Sequence, residues 1–236
     1  MLFRSNADLK IDSAKLTPSM SLFNLVTPTG SCEVWFNLPG RYNLANAACA
    51  AAAGVALGID LSLIKKGLEA AKPVPGRYQP VVIGQPFSVV IDYAHTPDAL
   101  ERLCLSAREI TKGKILTLFG CGGDRDSGKR PLMAAAASSN SDYVVLTSDN
   151  PRTEDPVKIF KETIPGMVGD NSEVIPDRSE AIRAIIEKAE KDDTVLIAGK
   201  GAEEYQEIGT TRYPFDDKME IKNALEAFGY KQVKTG

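Results

Sequence analysis

Beyond residue 75 the chain changes rhythm, and this change limits what it can fold into more than any other feature. Apolar, β-branched runs at 88–91, 115–119, 143–147, 173–175 and 194–198 alternate with segments of helical period at 97–110, 131–138, 156–167 and 178–189. A last helical stretch covers about 217–228. Short runs that are apolar throughout suit strands buried on both faces, the condition of a sheet sandwiched by helices. The alternation therefore predicts an α/β domain built on a mostly parallel, doubly wound sheet.

Ahead of that rhythm the pattern is different. Residues 1–12 show no clear periodicity, and two β-rich runs, 20–26 and 32–38, flank a hairpin-like loop, Thr27-Pro28-Thr29-Gly30. Gly40-Arg41-Tyr42-Asn43-Leu44-Ala45-Asn46 opens an Ala-rich helix over 44–59, and a second helix follows Asp60, its expected N-cap, to about 71. Asn43 and Asn46, three apart, share one helix face. They read either as a cap plus a solvated amide or as two amides aimed at one ligand. Lys72-Pro73-Val74-Pro75-Gly76 is stiff and glycine-punctuated, so a division into 1–75 and 76–236 is expected.

Four polar clusters directly follow four of the predicted strands. They are Asp92-Tyr93-Ala94-His95-Thr96-Pro97-Asp98, the stretch from Gly120 to Arg130, Asp149-Asn150-Pro151-Arg152, and Gly199-Lys200-Gly201-Ala202-Glu203-Glu204-Tyr205. In a parallel sheet the carboxyl ends share one edge, where ligands bind. Taken singly the signals are weaker. Asp149-Asn150-Pro151-Arg152 is also an Asx-type turn, although Arg152 offers a fork of donors suited to a carboxylate or phosphate. Gly120-Cys121-Gly122-Gly123 begins like a dinucleotide fingerprint, but Arg125 stands where the third glycine is needed, which argues against a nicotinamide oxidoreductase. Glu203 and Glu204 are either a general-base pair or two solvated acids.

Bulk properties remove other classes. A net charge of −3 and a pI near 5.4 give no electrostatic case for nucleic acid or an anionic membrane. The 4 cysteines form no metal spacing, and reduced thiols in a cytoplasmic protein are the simpler expectation. His95 is the only histidine, which leaves little room for a His-bearing triad or a zinc site. No charged-then-apolar leader opens the chain, and the apolar tract 44–59 falls short of a membrane span.

Read in order, Gly-Arg-Tyr-Asn-Leu-Ala-Asn (40–46), Pro-Gly-Arg (75–77), Asp-Tyr-Ala-His-Thr-Pro-Asp (92–98), Phe-Gly-Cys-Gly-Gly-Asp-Arg-Asp (119–126), Lys-Arg-Pro (129–131), Asp-Asn-Pro-Arg (149–152) and Gly-Lys-Gly (199–201) resemble the Mur ligases. Within them the resemblance is to the branch that adds 2,6-diaminopimelate to UDP-N-acetylmuramoyl-L-alanyl-D-glutamate. It implies a Rossmann-like C-terminal domain over 76–236, preceded by a β-hairpin and helical remnant of the central, ATP-binding domain over 1–75. It also implies amide-bond synthesis in cytoplasmic peptidoglycan assembly. There ATP phosphorylates a carboxylate, an amine attacks the acyl phosphate, and Mg²⁺ offsets the charge. By the family's motifs Asn43 and Asn46 would face adenine, and Arg77, Asp92 and His95 the nucleotide sugar or phosphates. Arg125, Asp149, Asn150, Arg152, Gly199 and Glu203 match diaminopimelate positions. The residue chemistry agrees, since Arg125 and Arg152 can clamp a distal carboxylate while Asp149, Asn150 and Glu203 hold its ammonium. No residue is singled out as catalytic, and none as a metal ligand.

The sequence departs from the family in two places. Ala202 stands where relatives carry His, and no GxxxxGK[ST] phosphate loop occurs. The expectation is a partial sequence whose Mg²⁺ ligands and uridine-binding domain lie elsewhere, and which binds ligand weakly without turnover. The alternative is a non-catalytic module that keeps an amino-acid or nucleotide pocket and works through a partner.

Overall fold

The computed structural model describes residues 8–231. Its contacts divide the chain into two compact units, Met1–Pro73 and Val74–Gly236.

The first unit is a three-stranded antiparallel sheet, β1 (Lys10–Leu16), β2 (Ser21–Thr27) and β3 (Gly30–Phe36), with two helices, α1 (Arg41–Ala56) and α2 (Leu61–Glu69). Alternation in β2 turns Phe23 and Leu25 inward, where they meet Val34 and Phe36 of β3, Leu44, Ala47 and Ala51 of α1, and Ile64 and Leu68 of α2. Thr27 and Gly30 close the β2–β3 hairpin as a pair, as the loop composition predicts. Asp60 caps α2 by accepting from the Ser62 N–H at 2.8 Å. Two differences from expectation stand out. Strand β1 crosses the region that lacks periodicity, because it is an edge strand with most side chains in solvent. Helix α1 starts at Arg41, so Asn43 sits inside the first turn and Gly40, not an asparagine, is the N-cap.

The second unit is a six-stranded sheet of order β4-β5-β9-β6-β7-β8. In chain order it runs β4 (Gln79–Pro80), β5 (Ser88–Asp92), α3 (Pro97–Arg108), β6 (Ile115–Cys121), α4 (Lys129–Asn140), β7 (Tyr143–Ser148), α5 (Pro156–Thr163), β8 (Ser172–Val174), α6 (Arg178–Lys188) and β9 (Thr194–Ala198). A two-stranded ribbon of β10 (Tyr205–Ile208) and β11 (Thr211–Pro214) follows, then α7 (Asp217–Ala227). Every pairing in the large sheet is parallel except that of the two-residue edge strand β4. Strand β6 is buried along its whole length, as its unbroken apolar run requires. On one face Ile182, Ile185 and Ile186 of α6 and Ile221 and Leu225 of α7 pack on Val89, Leu118, Val145 and Ile197. Leu100, Leu103 and Ala107 of α3, Ala134 and Ala137 of α4 and Ile159 of α5 are buried outside that cluster. This is the mostly parallel α/β architecture that the alternation predicts. Among the described residues no helix is long and apolar enough to cross a membrane.

Sequence reading missed the β10–β11 ribbon. Its strands are four residues each and largely exposed, so they carry no apolar alternation. The available signal was Gly209-Thr210 between Tyr-Gln-Glu-Ile and Thr-Arg-Tyr-Pro, a two-residue hairpin turn with Gly209 at φ +61°.

Candidate functional site

Register sets the strand ends level. Asp92 pairs with Ala198 across β5 and β9, and Cys121 with Ser148 across β6 and β7. The four polar turns therefore open on one edge of the second unit, the edge that binds ligands in open α/β sheets.

Asn150 is the hub of that edge. Its side chain is 2% exposed; Nδ2 donates to Glu203 Oε2 (2.9 Å), while Oδ1 accepts from Lys200 Nζ (3.1 Å) and the Glu207 N–H (2.9 Å). Two donors on one side and a carboxylate on the other fix the orientation of the amide. Lys200 is wholly buried, and its Nζ also lies 3.3 Å from Glu203 Oε2. The Glu203 carboxylate and the Asn150 amide oxygen satisfy two of its three donor positions.

Asp149 accepts from the Asn150 N–H at 2.7 Å. Burial pushes its carboxyl above the usual carboxylate range, against the pull of Arg178 and Lys200. A Cβ on Gly199, whose φ is +113°, would come within 2.7 Å of Asp149 Oδ2. Gly199 thus contributes by having no side chain, which leaves room for that carboxylate.

Arg152 stands in the left-handed region at φ +50°. Its Nη1 donates to Gly123 O (2.8 Å), and its Nε lies 3.3 Å from Glu207 Oε2. Arg125 is exposed and donates to Asp124 O at 3.0 Å. A Cβ on Gly122 would lie 3.1 Å from Arg152 Nη1 and 3.8 Å from Arg125 Cγ, so the two arginines flank the same bare turn. Of the six residues matched to diaminopimelate, Asp149, Asn150, Gly199 and Glu203 form one connected floor, and the two arginines stand together at its side.

Buried Arg130 secures the loop that carries Arg125. It is 2% exposed, binds Glu154 at 2.8 and 3.1 Å and also pairs with Glu162, while Glu154 accepts the Asp124 N–H at 2.6 Å. The Arg130 guanidinium and that N–H hold the Glu154 carboxyl down to about 2. A depressed carboxyl stabilises the fold above the ordinary glutamate range and loses that contribution as pH falls through its own value. Glu154→Gln is accordingly expected to lower the thermal midpoint at pH 7. The gap to the parent should shrink on acidification from about 4.5 towards about 2; a pH-independent gap would contradict this assignment.

The residues matched to the nucleotide fall into two groups. Asp92 accepts the Tyr78 N–H (2.7 Å) and the Ala94 N–H (2.8 Å), and burial raises its carboxyl. The Arg77 guanidinium lies 4.7 Å over the Tyr93 ring, and His95 Nδ1 donates to Tyr93 O at 2.7 Å. A pocket of about 210 Å³ is lined by Arg77 and Tyr93 together with Lys200, Ala202 and Glu203, so this group adjoins the floor around Asn150. Asn43 and Asn46 belong to the first unit. Asn43 is buried, donates to Pro39 O (2.7 Å) and accepts from Asn46 Nδ2 (3.3 Å), which uses one proton and one lone pair of its amide.

Two residues in the site were given no role from the sequence: Lys200, quoted only as part of its polar turn, and Glu207. A lysine between two glycines at the end of an apolar strand was a usable signal for the first. Nothing local marks Glu207, which arrives on the missed ribbon. Among the described residues no group of three His, Cys, Asp or Glu side chains is arranged to hold a metal ion.

The family model described as "Mur ligase, glutamate ligase domain" matches residues 76–201. A UDP-N-acetylmuramoyl-L-alanyl-D-glutamate–2,6-diaminopimelate ligase of Oceanobacillus iheyensis is 42% identical over 228 residues, covering 96% of this chain and 46% of that protein. One from Clostridium acetobutylicum is 44% identical over 222 residues, 93% and 46% of the two chains. A solved structure of a ligase of the same description, 41% identical, superposes with a TM-score of 0.73 over 96% of this chain and 47% of that one. The chain spans just under half the length of these relatives.

Proposed function

Because the chain belongs to the Mur ligase family, we propose that its second unit carries the amino-acid pocket of an ATP-dependent ligase acting in cytoplasmic peptidoglycan synthesis. The ligase adds meso-2,6-diaminopimelate to UDP-N-acetylmuramoyl-L-alanyl-D-glutamate. Supporting this reading is one observation above all: the Arg152 guanidinium and the Arg125 side chain flank one bare turn at Gly122, and Asp149, Asn150 and Glu203 lie on the same sheet edge. Such a pairing of cations with acids is complementary to the far end of a diamino dicarboxylic acid, which carries both a carboxylate and an ammonium. In this reading Arg125 and Arg152 take the distal carboxylate, Asp149 and Glu203 take the ammonium beside it, and Asn150, whose oxygen already accepts two hydrogen bonds, holds Glu203 in place. The opposite amine is left to attack the acyl phosphate of the D-glutamate carboxyl, and phosphate departs.

Arg77, Asp92 and His95 are proposed to meet the sugar or phosphates of ATP, and Asn43 and Asn46 its adenine. Mg²⁺, when bound, would offset phosphate charge; the described residues hold no cluster for it, and the roles assigned here do not run through it. The proposed 1–75 and 76–236 portions correspond to the end of an ATP-binding domain and a C-terminal domain.

Discrimination against lysine provides the test. Lysine lacks the distal carboxylate and leaves Arg152 facing nothing. A charged hydrogen bond contributes roughly 1.5–3 kcal/mol, so Arg152→Ala should weaken diaminopimelate binding about tenfold to a hundredfold. Lysine binding should hardly change. Equal losses for both ligands, measured by titration of the chain, would sink the assignment.

A further inference from the structure

Arg152 is held from two sides, and the second side belongs to the ribbon. Its N–H donates to Glu207 O (3.0 Å), its carbonyl accepts from the Gly209 N–H (2.7 Å), and it forms an isolated parallel bridge with Ile208. A non-glycine residue at φ +50° is uncommon and persists where its surroundings over-determine it. Here the ribbon takes both main-chain groups of Arg152 and so supplies that determination. The side chain is anchored likewise, Nε against the Glu207 carboxylate and Nη1 on Gly123 O. These anchors come from two separate elements, so the guanidinium plane cannot swing about its last bond without losing one of them. Of its five N–H groups one makes a hydrogen bond, Nη1 to Gly123 O, while Nε meets the Glu207 carboxylate as an ion pair; the second Nη1 proton and both Nη2 protons are left for a ligand.

We infer that Glu207 is a positioning residue: through Nε it sets the direction of the Arg152 guanidinium, and with it the preference of the pocket for an amino acid bearing a second carboxylate. The inference rests on the pocket reading given above. Glu207 acts in two opposed ways, which makes the role separable. Its charge partly offsets that of Arg152 and weakens the pull on any anion; its oxygen preorganises the fork, which strengthens one geometry. Gln keeps the acceptor and drops the charge. Ala drops both, and Asp keeps the charge but is one methylene short of Nε.

The experiment titrates the ¹⁵N-labelled chain with meso-diaminopimelate and, separately, with lysine, following amide shifts. Glu207→Ala and Glu207→Asp are expected to lower diaminopimelate affinity about three- to tenfold, the range for freeing one rotamer-rich side chain. Lysine affinity should stay unchanged, and Glu207→Gln should remain within about twofold of the parent for both ligands. Equal loss of both ligands would reduce Glu207 to a structural part of the ribbon and overturn the inference. So would a Glu207→Gln defect as large as that of Ala, or no defect in any variant. If Ala fails to fold, the Asp and Gln pair decides alone. A parent chain that shows no preference for diaminopimelate over lysine defeats the pocket reading itself; an intact preference in the parent that survives Glu207→Ala and Glu207→Asp defeats only the role of Glu207.

Discussion

Replacing Arg178 by Met is expected to lower the unfolding free energy by about 3–5 kcal/mol, the cost of breaking a buried ion pair from one side. Arg178 and Asp217 are both fully buried and meet side-on through two bonds, Nε to Oδ1 at 2.7 Å and Nη2 to Oδ2 at 2.8 Å. Arg178 Nη2 also donates to Ala198 O at 3.1 Å, so one side chain joins the starts of α6 and α7 to the end of β9. Met fills the space of the stem but leaves the Asp217 carboxylate without a counter-charge. The double replacement Arg178→Met with Asp217→Leu should recover most of the loss, because a well-packed apolar pair can match a buried ion pair. Urea unfolding of the three chains checks this; a single-variant loss under about 1 kcal/mol would show the pair to be far more hydrated than its burial indicates. The pair also bears on function. Its guanidinium is the first of the two cations that pull the buried Asp149 carboxyl back towards ionisation, so the single variant should weaken any ammonium held there.

The second large effect is expected from Gly123→Ala. A Cβ at this position would stand 1.9 Å from Pro151 O and 2.7 Å from Pro151 C, a collision with backbone that no rotamer change relieves. The Gly122-Gly123 turn and the Asn150-Pro151-Arg152 turn are joined there by the Gly123 N–H on Asn150 O (2.9 Å) and by Arg152 Nη1 on Gly123 O (2.8 Å). One methyl group must part them and release both bonds. Overpacking of this kind costs about 1–3 kcal/mol, and the upper end applies because the obstacle is rigid. Amino-acid binding should fall further than stability does, since the displaced groups include the Arg152 guanidinium. A Gly123→Ala chain with parental stability and parental response to diaminopimelate would refute the close approach of the two turns.

How far the sequence could be read depends on whether a feature is periodic. Strands β5, β6, β7 and β9 were legible because a strand buried on both faces must be apolar throughout, and their ends marked where polar residues would collect. Strand β1 and the β10–β11 ribbon were not, because exposed strands are under no such compositional demand. Nothing in the local pattern marks Arg130 and Arg178 for burial, yet both are buried and paired with carboxylates distant in sequence.

By itself the amino-acid sequence determined the class of fold, the strand ends and the set of polar turns, because each follows from local hydrophobic period and from residue chemistry at fixed spacing. Only the tertiary structure decided which of those groups touch. Strand order put β9 between β5 and β6, which brought Lys200 and Glu203 against Asn150, some fifty residues away. A ribbon with no periodic signature then delivered Glu207 to Arg152. The physical reason is range: propensity and period act within a few residues, whereas ion pairs and amide contacts between distant turns exist only once the sheet has set its register.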